Sequence, residues 1–185
     1  IGVGRLNEPG IAERVLEEGQ VDLVVMGRAQ LADPEFVNKV REGKTEDIDY
    51  CVGCDQGCLD GFADTDCPHI TCLRNPAVGR EKECAIVKTD QPETVLIAGG
   101  GIAGLEAAVI LKQRGHQPIL CESSDRLGGQ FLTAGMAPRK AEMKQAVEAM
   151  GEKARRLGVD IRLNTTVTKE LIEDIRPHTV FNAIG

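Results

Sequence analysis

Nowhere in the 185 residues does an apolar run approach the roughly 18 residues of a bilayer-spanning helix, and the first residues lack a basic region followed by an apolar core. A membrane span and a secretory leader are therefore not expected, and a cytoplasmic chain is. Blocks of one charge sign are also missing: acidic and basic residues are interspersed, with a formal net charge of -7. That leaves no basic face for nucleic acid or an anionic membrane surface. Histidine is scarce, and His69, His116 and His178 belong to no metal or catalytic pattern, so they read as structural or surface residues. The even cysteine count of a disulfide framework is lacking too. There are seven cysteines, five of them from Cys51 to Cys72, a clustering that suits a metal site in a reducing compartment. The chain has no initiator methionine and stops at a strand-like end, so it reads as an internal piece of a longer protein.

The hydrophobic content of 42% is ordinary for a globular protein, and its periodicity divides the chain into three. In residues 1–43, Asn7 can cap a helix with Pro9 in its first turn and Ile11, Val15 and Leu16 on one face. Gly19 ends it, and the apolar run 21–26 reads as a buried strand. Asp33 before Pro34 starts a second helix, with Phe36, Val37 and Val40 as its apolar face and Gly43 as its stop. These few elements cannot cover a parallel sheet, and a full barrel needs about 250 residues, so they read as the last part of something larger. In residues 44–88 periodicity gives way to Cys, Gly, Asp and Pro, a loop-rich segment that a metal centre would order. Residues 89–185 are α/β throughout: strand 95–98, a glycine turn, helix 103–114, strand 118–121, helix 139–157, strand 159–163, a short helix capped by Thr168, and a last strand 180–184. In the longest helix Met143, Val147, Met150, Ala154 and Leu157 form one stripe.

The most specific local signal is Cys51-x-x-Cys54-x-x-x-Cys58, followed by Cys72 just before Leu73-Arg74-Asn75-Pro76. Three thiolates on a turn-rich loop and a distant fourth can wrap one compact cluster, and iron-sulfur clusters are usually held by four cysteines. A 4Fe-4S centre is the leading reading. Structural zinc is the alternative, although zinc motifs favour two separated Cys-x-x-Cys pairs. Cys67 can replace Cys72 as the fourth ligand, because spacing does not determine connectivity. Cys84 and Cys121 read as ordinary thiols.

The run Gly99-Gly100-Gly101-Ile102-Ala103-Gly104 holds Gly-x-Gly-x-x-Gly (Gly99, Gly101, Gly104) directly after a strand. Ile102 and Ala103 open the next helix, whose N-terminus suits a pyrophosphate. Glu122 ends the following strand, where a ribose-binding carboxylate belongs. Arg126-Leu127-Gly128-Gly129-Gln130 resembles the second glycine motif of FAD-binding, disulfide reductase-like domains, which favours FAD over NAD and adds Arg126, Gly129 and Gln130 to the site. Gly4-Arg5 and Gly27-Arg28 each follow an apolar strand end. Barrels often bind phosphate in the loops after strands seven and eight, but turn glycines with surface arginines account for these residues equally well.

In this order the motifs resemble one family: the FMN, iron-sulfur and FAD enzymes with an Old Yellow Enzyme-type barrel, including bacterial 2,4-dienoyl-CoA reductase, enoate reductases and trimethylamine dehydrogenase. Val3-Gly4-Arg5 resembles the end of their seventh barrel strand, and Val25-Met26-Gly27-Arg28-Ala29 with Ala32-Asp33-Pro34 the end of the eighth. Cys72-Leu73-Arg74-Asn75-Pro76-Ala77-Val78-Gly79-Arg80-Glu81 resembles the end of their cluster signature. The resemblance covers essentially the whole chain. It implies the C-terminal end of a TIM barrel in 1–43, an iron-sulfur segment in 44–88 and an incomplete Rossmann-like FAD-binding domain in 89–185. It also implies that Gly4, Arg5, Gly27 and Arg28 hold the FMN phosphate, and that Cys51, Cys54, Cys58 and Cys72 are the ligands, which favours Cys72 over Cys67; the stretch 63–70 departs slightly from the commonest spacing.

By the same resemblance NAD(P)H reduces FAD, the cluster carries single electrons, and FMN delivers them to an activated C=C bond of a small-molecule substrate. In the trimethylamine dehydrogenase branch electrons leave through the cluster to an external carrier. The family's proton donors lie in earlier barrel loops, so no catalytic acid or base is expected here; a homo-oligomer is compatible with the sequence. Two other readings compete. An electron-transfer module like the small subunit of glutamate synthase should lack the Gly4 and Gly27 strands, and a nucleotide-binding regulatory domain would need zinc at the cysteines.

Overall fold

The computed structural model describes residues 1–63, 65–66 and 69–185. Two compact units divide it, Ile1–Ala85 and Ile86–Gly185.

In the first unit, strands β1 (Gly2–Val3) and β2 (Val24–Val25) pair in parallel, Gly2 opposite Val24. Helix α1 (Pro9–Glu17) connects them. Parallel strands need such a crossover because a tight hairpin cannot reverse the chain twice. Proline opens α1, where its missing N–H is not needed. Its N-cap is Glu8, without a side-chain cap, rather than Asn7. The Asn7 amide instead donates to the Cys51 carbonyl at 3.2 Å. Strand β2 is much shorter than the apolar run 21–26, and Ile1, Val3, Leu23 and Val25 are exposed.

Helix α2 (Gly27–Ala32) follows β2 at once, then α3 (Phe36–Arg41), a 3-10 turn at Thr45–Asp47, and α4 (Leu59–Ala63). The N-cap of α3 is Glu35, without a side-chain cap, rather than Asp33, which ends α2 and whose carboxylate accepts the Glu35 N–H at 3.0 Å in the turn between the two helices. Ala29, Phe36 and Ile48 form a small apolar cluster, against which Tyr50 packs edge-on to Phe36 with ring centroids 6.2 Å apart.

The second unit is a four-stranded parallel sheet: β3 (Thr94–Ala98), β4 (Gln117–Cys121), β5 (Asp160–Arg162) and β6 (Thr179–Asn182), in the order β5-β4-β3-β6. Central β3 is apolar from Val95 to Ala98, as a strand covered on both faces must be; Leu96 and Ile97 are fully buried. Helices α5 (Ile102–Gln113), α6 (Gly129–Ala134), α7 (Ala141–Arg156) and α8 (Lys169–Ile175) complete it. The predicted stripe of α7 enters the core through Val147, Met150 and Ala154, which meet Leu105, Ala108 and Val109 of α5. Thr168 caps α8, its hydroxyl accepting the Leu171 N–H at 3.3 Å. Ala98 lies opposite both Cys121 and Asn182, so the carboxyl ends of β3, β4 and β6 align, and their loops share one edge. Ligands of open parallel sheets bind at that edge. Among the described residues no helix is long and apolar enough to cross a membrane.

Candidate functional site: a nucleotide edge and a cysteine pocket

At the carboxyl edge of the sheet the three glycines of the turn do different things. Gly99 adopts φ +109, and a Cβ there would stand 2.5 Å from the Ala183 carbonyl oxygen. A Cβ on Gly104 would fall on the Gly99 carbonyl, so this glycine lets α5 close onto the strand. Gly101 is the N-cap of α5 and has nothing within 4 Å of its missing Cβ. Its backbone thus faces open space where the unpaired N–H groups of the helix start concentrate. These are the steric conditions for a tight turn, a close helix and an approachable backbone.

Glu122 faces the turn. Its carboxylate accepts the Gly100 N–H at 2.7 Å, the Ser124 N–H at 2.8 Å and the Ser123 hydroxyl at 3.2 Å. Burial favours its neutral form, but the hydrogen bonds from Ser124, Gly100 and Ser123 outweigh this and hold its pKa below the usual value. Oε1 accepts two of these bonds and Oε2 one, which leaves Oε2 lone-pair capacity for a ligand hydroxyl.

Gly99, Gly101, Ile102, Ala103, Glu122, Gly129 and Gln130 all line one open cavity of about 550 Å³. Gly104 lies buried behind it. Arg126 is exposed and lines a neighbouring hollow beside α6 and α7. The Arg126 to Gln130 motif folds back on the glycine turn, the Gly128 N–H donating to the Gly100 carbonyl at 2.8 Å. Sequence reasoning missed Thr165, Thr166 and Val167, which line the same cavity. Their only signal is position, because they follow β5 as Glu122 follows β4.

In the first unit, positive φ at Gly53, Asp55 and Gly57 coils the loop on itself. Cys51, Cys54, Cys58 and Cys72 thereby line one small pocket, together with Arg28 and Arg74. The Thr71 N–H donates to the Gly57 carbonyl at 2.9 Å, and a Cβ on Gly57 would collide with the Thr71 side chain. Cys67 lies outside the described residues. Burial pushes the Cys51 thiol up, against the Gly53 N–H, which donates to its sulfur at 3.4 Å, and the nearby Arg28 charge. Among the described residues no three His, Cys, Asp or Glu side chains are gathered as for a single metal ion.

Gly4, Arg5, Gly27 and Arg28 come together around an adjoining cavity of about 200 Å³, which Cys51 and Gly53 also line. Gly4 and Gly27 present open backbone. Arg28 forms an ion pair with Asp55. Cys84 is exposed and outside the cysteine pocket, while Cys121 is buried at the end of β4. His116 and His178 accept the Glu93 and Thr94 N–H groups at 3.3 and 3.1 Å, structural roles at the start of β3.

A sequence profile described as FAD dependent oxidoreductase matches residues 94–181. Bilirubin reductase of Mediterraneibacter gnavus is 37% identical over 183 residues, 99% of this chain and 28% of that protein. A multifunctional alkene reductase/demethylase of Caballeronia cordobensis is 37% identical over 155 residues, 83% of this chain and 22% of that protein. A solved complex of 2-naphthoyl-CoA reductase with 2-naphthoyl-CoA superposes with a TM-score of 0.93 and 32% identity, over 99% of this chain and 28% of that one.

The chain belongs to the FMN, 4Fe-4S and FAD oxidoreductase family.

It spans about a quarter of the length of these family members, 28% of bilirubin reductase and of the 2-naphthoyl-CoA reductase chain and 22% of the alkene reductase/demethylase. The family's FAD-type domain corresponds to the second unit, whose four parallel strands lie within or overlap the profile match. The edge cavity fits the dinucleotide such a domain takes, since an open backbone, a helix start and a carboxylate converge on it.

Proposed function

We propose that this chain is the electron-relay portion of an NAD(P)H-dependent flavin and iron-sulfur oxidoreductase that reduces an activated C=C bond. In this reading residues 1–43 end a TIM barrel, 44–88 form a cluster segment and 89–185 begin an FAD-binding domain. FAD, a 4Fe-4S cluster and FMN, when bound, would supply hydride acceptance, single-electron transfer and delivery to the substrate.

The protein's part is to hold and orient. The Gly101 backbone at the start of α5 offers N–H groups to a pyrophosphate, and Glu122 accepts a ribose hydroxyl. Cys51, Cys54, Cys58 and Cys72 offer four thiolates, with the Gly53 N–H donating to the sulfur of Cys51. Gly4, Arg5, Gly27 and Arg28 offer open backbone and positive charge to a phosphate. The observation that carries the reading is that Cys51 and Arg28 line both the phosphate-type cavity and the cysteine pocket. Four cysteines around one pocket match the four thiolates that usually hold an iron-sulfur cluster.

The β1–β2 pair beside Gly4 and Gly27 speaks against a module of the glutamate synthase small-subunit type. An amine-oxidising branch is the second reading, favoured by the word demethylase in one relative's name. An iron, zinc and acid-labile sulfide assay on anaerobically purified protein tests the core of the proposal. About four iron and four sulfide per chain are expected, with a dithionite-bleachable band. About one zinc without sulfide sinks it. Steady-state assays with enoates and with methylated amines separate the two branches.

A further inference from the structure

Arg74 has only 7% of its side chain exposed and stands two residues after Cys72. Its Nη2 donates to Asp49 Oδ1 at 2.9 Å and its Nε to the Tyr50 carbonyl at 3.3 Å. Those two residues lead directly into Cys51. Asp49 is fixed from behind as well, its N–H donating to Asp33 Oδ2 at 2.9 Å. Asp33, 3% exposed, also takes Lys39 Nζ at 2.6 Å. Asn75 anchors the other side, its amide donating to the Leu31 carbonyl at 3.0 Å. The guanidinium therefore clips the segment bearing Cys72 to the segment bearing Cys51, and both cysteines share a pocket with it. A planar fork can grip a carboxylate and a carbonyl at once, and a lysine ammonium cannot hold that geometry.

We propose that Arg74 is a positioning residue of the cysteine site, setting Cys72 against Cys51 so that four thiolates close around one cluster. This rests on the cluster reading above. Partners just outside the ligand sphere govern how tightly a metal centre is held. A buried guanidinium at the pocket wall also stabilises the more negative, reduced state of whatever the thiolates hold. The role should therefore register in both retention and redox potential.

The test uses the anaerobically purified holoenzyme, its R74M and R74K variants, iron and sulfide content, chelator-driven bleaching, and EPR and midpoint potential of the reduced cluster. R74M is expected to hold metal about 10- to 100-fold less tightly, with a lower potential in whatever cluster remains and unchanged FAD content. R74K, keeping charge but not the fork, should recover part of the retention and most of the potential. Wild-type iron, sulfide, EPR spectrum and potential in R74M would overturn the proposal. Should R74M fail to accumulate, D49N decides by the same readouts: faster bleaching supports the clip, and wild-type behaviour overturns it. A wild-type enzyme without iron and sulfide instead removes the cluster reading itself, an outcome separate from any variant.

Discussion

Between Ile86 and Gly185 the buried residues form one apolar cluster running from Val95 and Leu105 to Met150 and Val159. The ion pairs described there, such as Arg155 with Glu152 and Lys169 with Glu173, are all solvent-exposed. Between Ile1 and Ala85 the proportions reverse. The apolar cluster is Ala29, Phe36 and Ile48, while Asp33 and Arg74 are charged groups buried in ion pairs. Exposed pairs contribute little, whereas a buried pair is strongly destabilising to break. One unit is thus held by contacts that tolerate imprecision, the other by contacts that require geometry. The proposed cluster site, which would have to fix four thiolates, gains from the second kind, and the proposed nucleotide edge needs only a rigid sheet behind it.

That contrast can be broken experimentally. On the proposed cluster reading, the largest effect is expected from stripping metal from the cysteine pocket. Residues 1–85 should lose their protection from limited proteolysis while the second unit keeps its FAD, and equal protection with and without metal would erase the difference. Next, Leu96→Ala removes a fully buried side chain and should destabilise the second unit by about 2 to 5 kcal/mol, read by denaturant unfolding followed through flavin fluorescence, with iron content unchanged. Thr168→Ala, which deletes the cap of α8, should cost about 1 kcal/mol in the same assay. The smallest effect is pH-dependent. Because the folded-state pKa of Glu122 is lowered, its contribution is present above the usual glutamate value of about 4.3 and is lost as pH falls through the lowered one. Unfolding midpoints of the wild type and Glu122→Gln should differ at neutral pH and converge in acid; a constant gap would mean the carboxylate does not titrate with folding.

What the sequence reveals tracks the same division. In the second unit, long apolar periodicity and ordered glycines made β3, α5, β4 and the inward stripe of α7 readable, because local preference and tertiary burial agree there. Helices α2 and α6 were not read. Each has six residues and begins at a glycine of a turn proposed to bind ligand, and glycine is a poor helix former that signals a loop. Thr165 to Val167 carried no motif, since their place in the cavity follows from sheet order. In the first unit, cysteine spacing pointed to candidate ligands but not to what holds them. Asp33, Asp49 and Arg74 look like surface residues by type, and their mutual burial is visible only in three dimensions. Asn7 failed as a cap because its amide is committed to Cys51, far along the chain.

The hydrogen bond from Thr71 to the Gly57 carbonyl has a consequence for how this protein can vary. It closes the chain between the cysteine triplet and the fourth cysteine into a loop whose two ends are pinned independently of what lies between. Loop-closure entropy grows slowly, by about 0.6 kcal/mol for each doubling of length. Insertions or deletions after α4 and before Thr71 should therefore be among the cheapest length changes available to the first unit. Descendants of one ancestor could differ there in spacing and still present Cys72 at the same point.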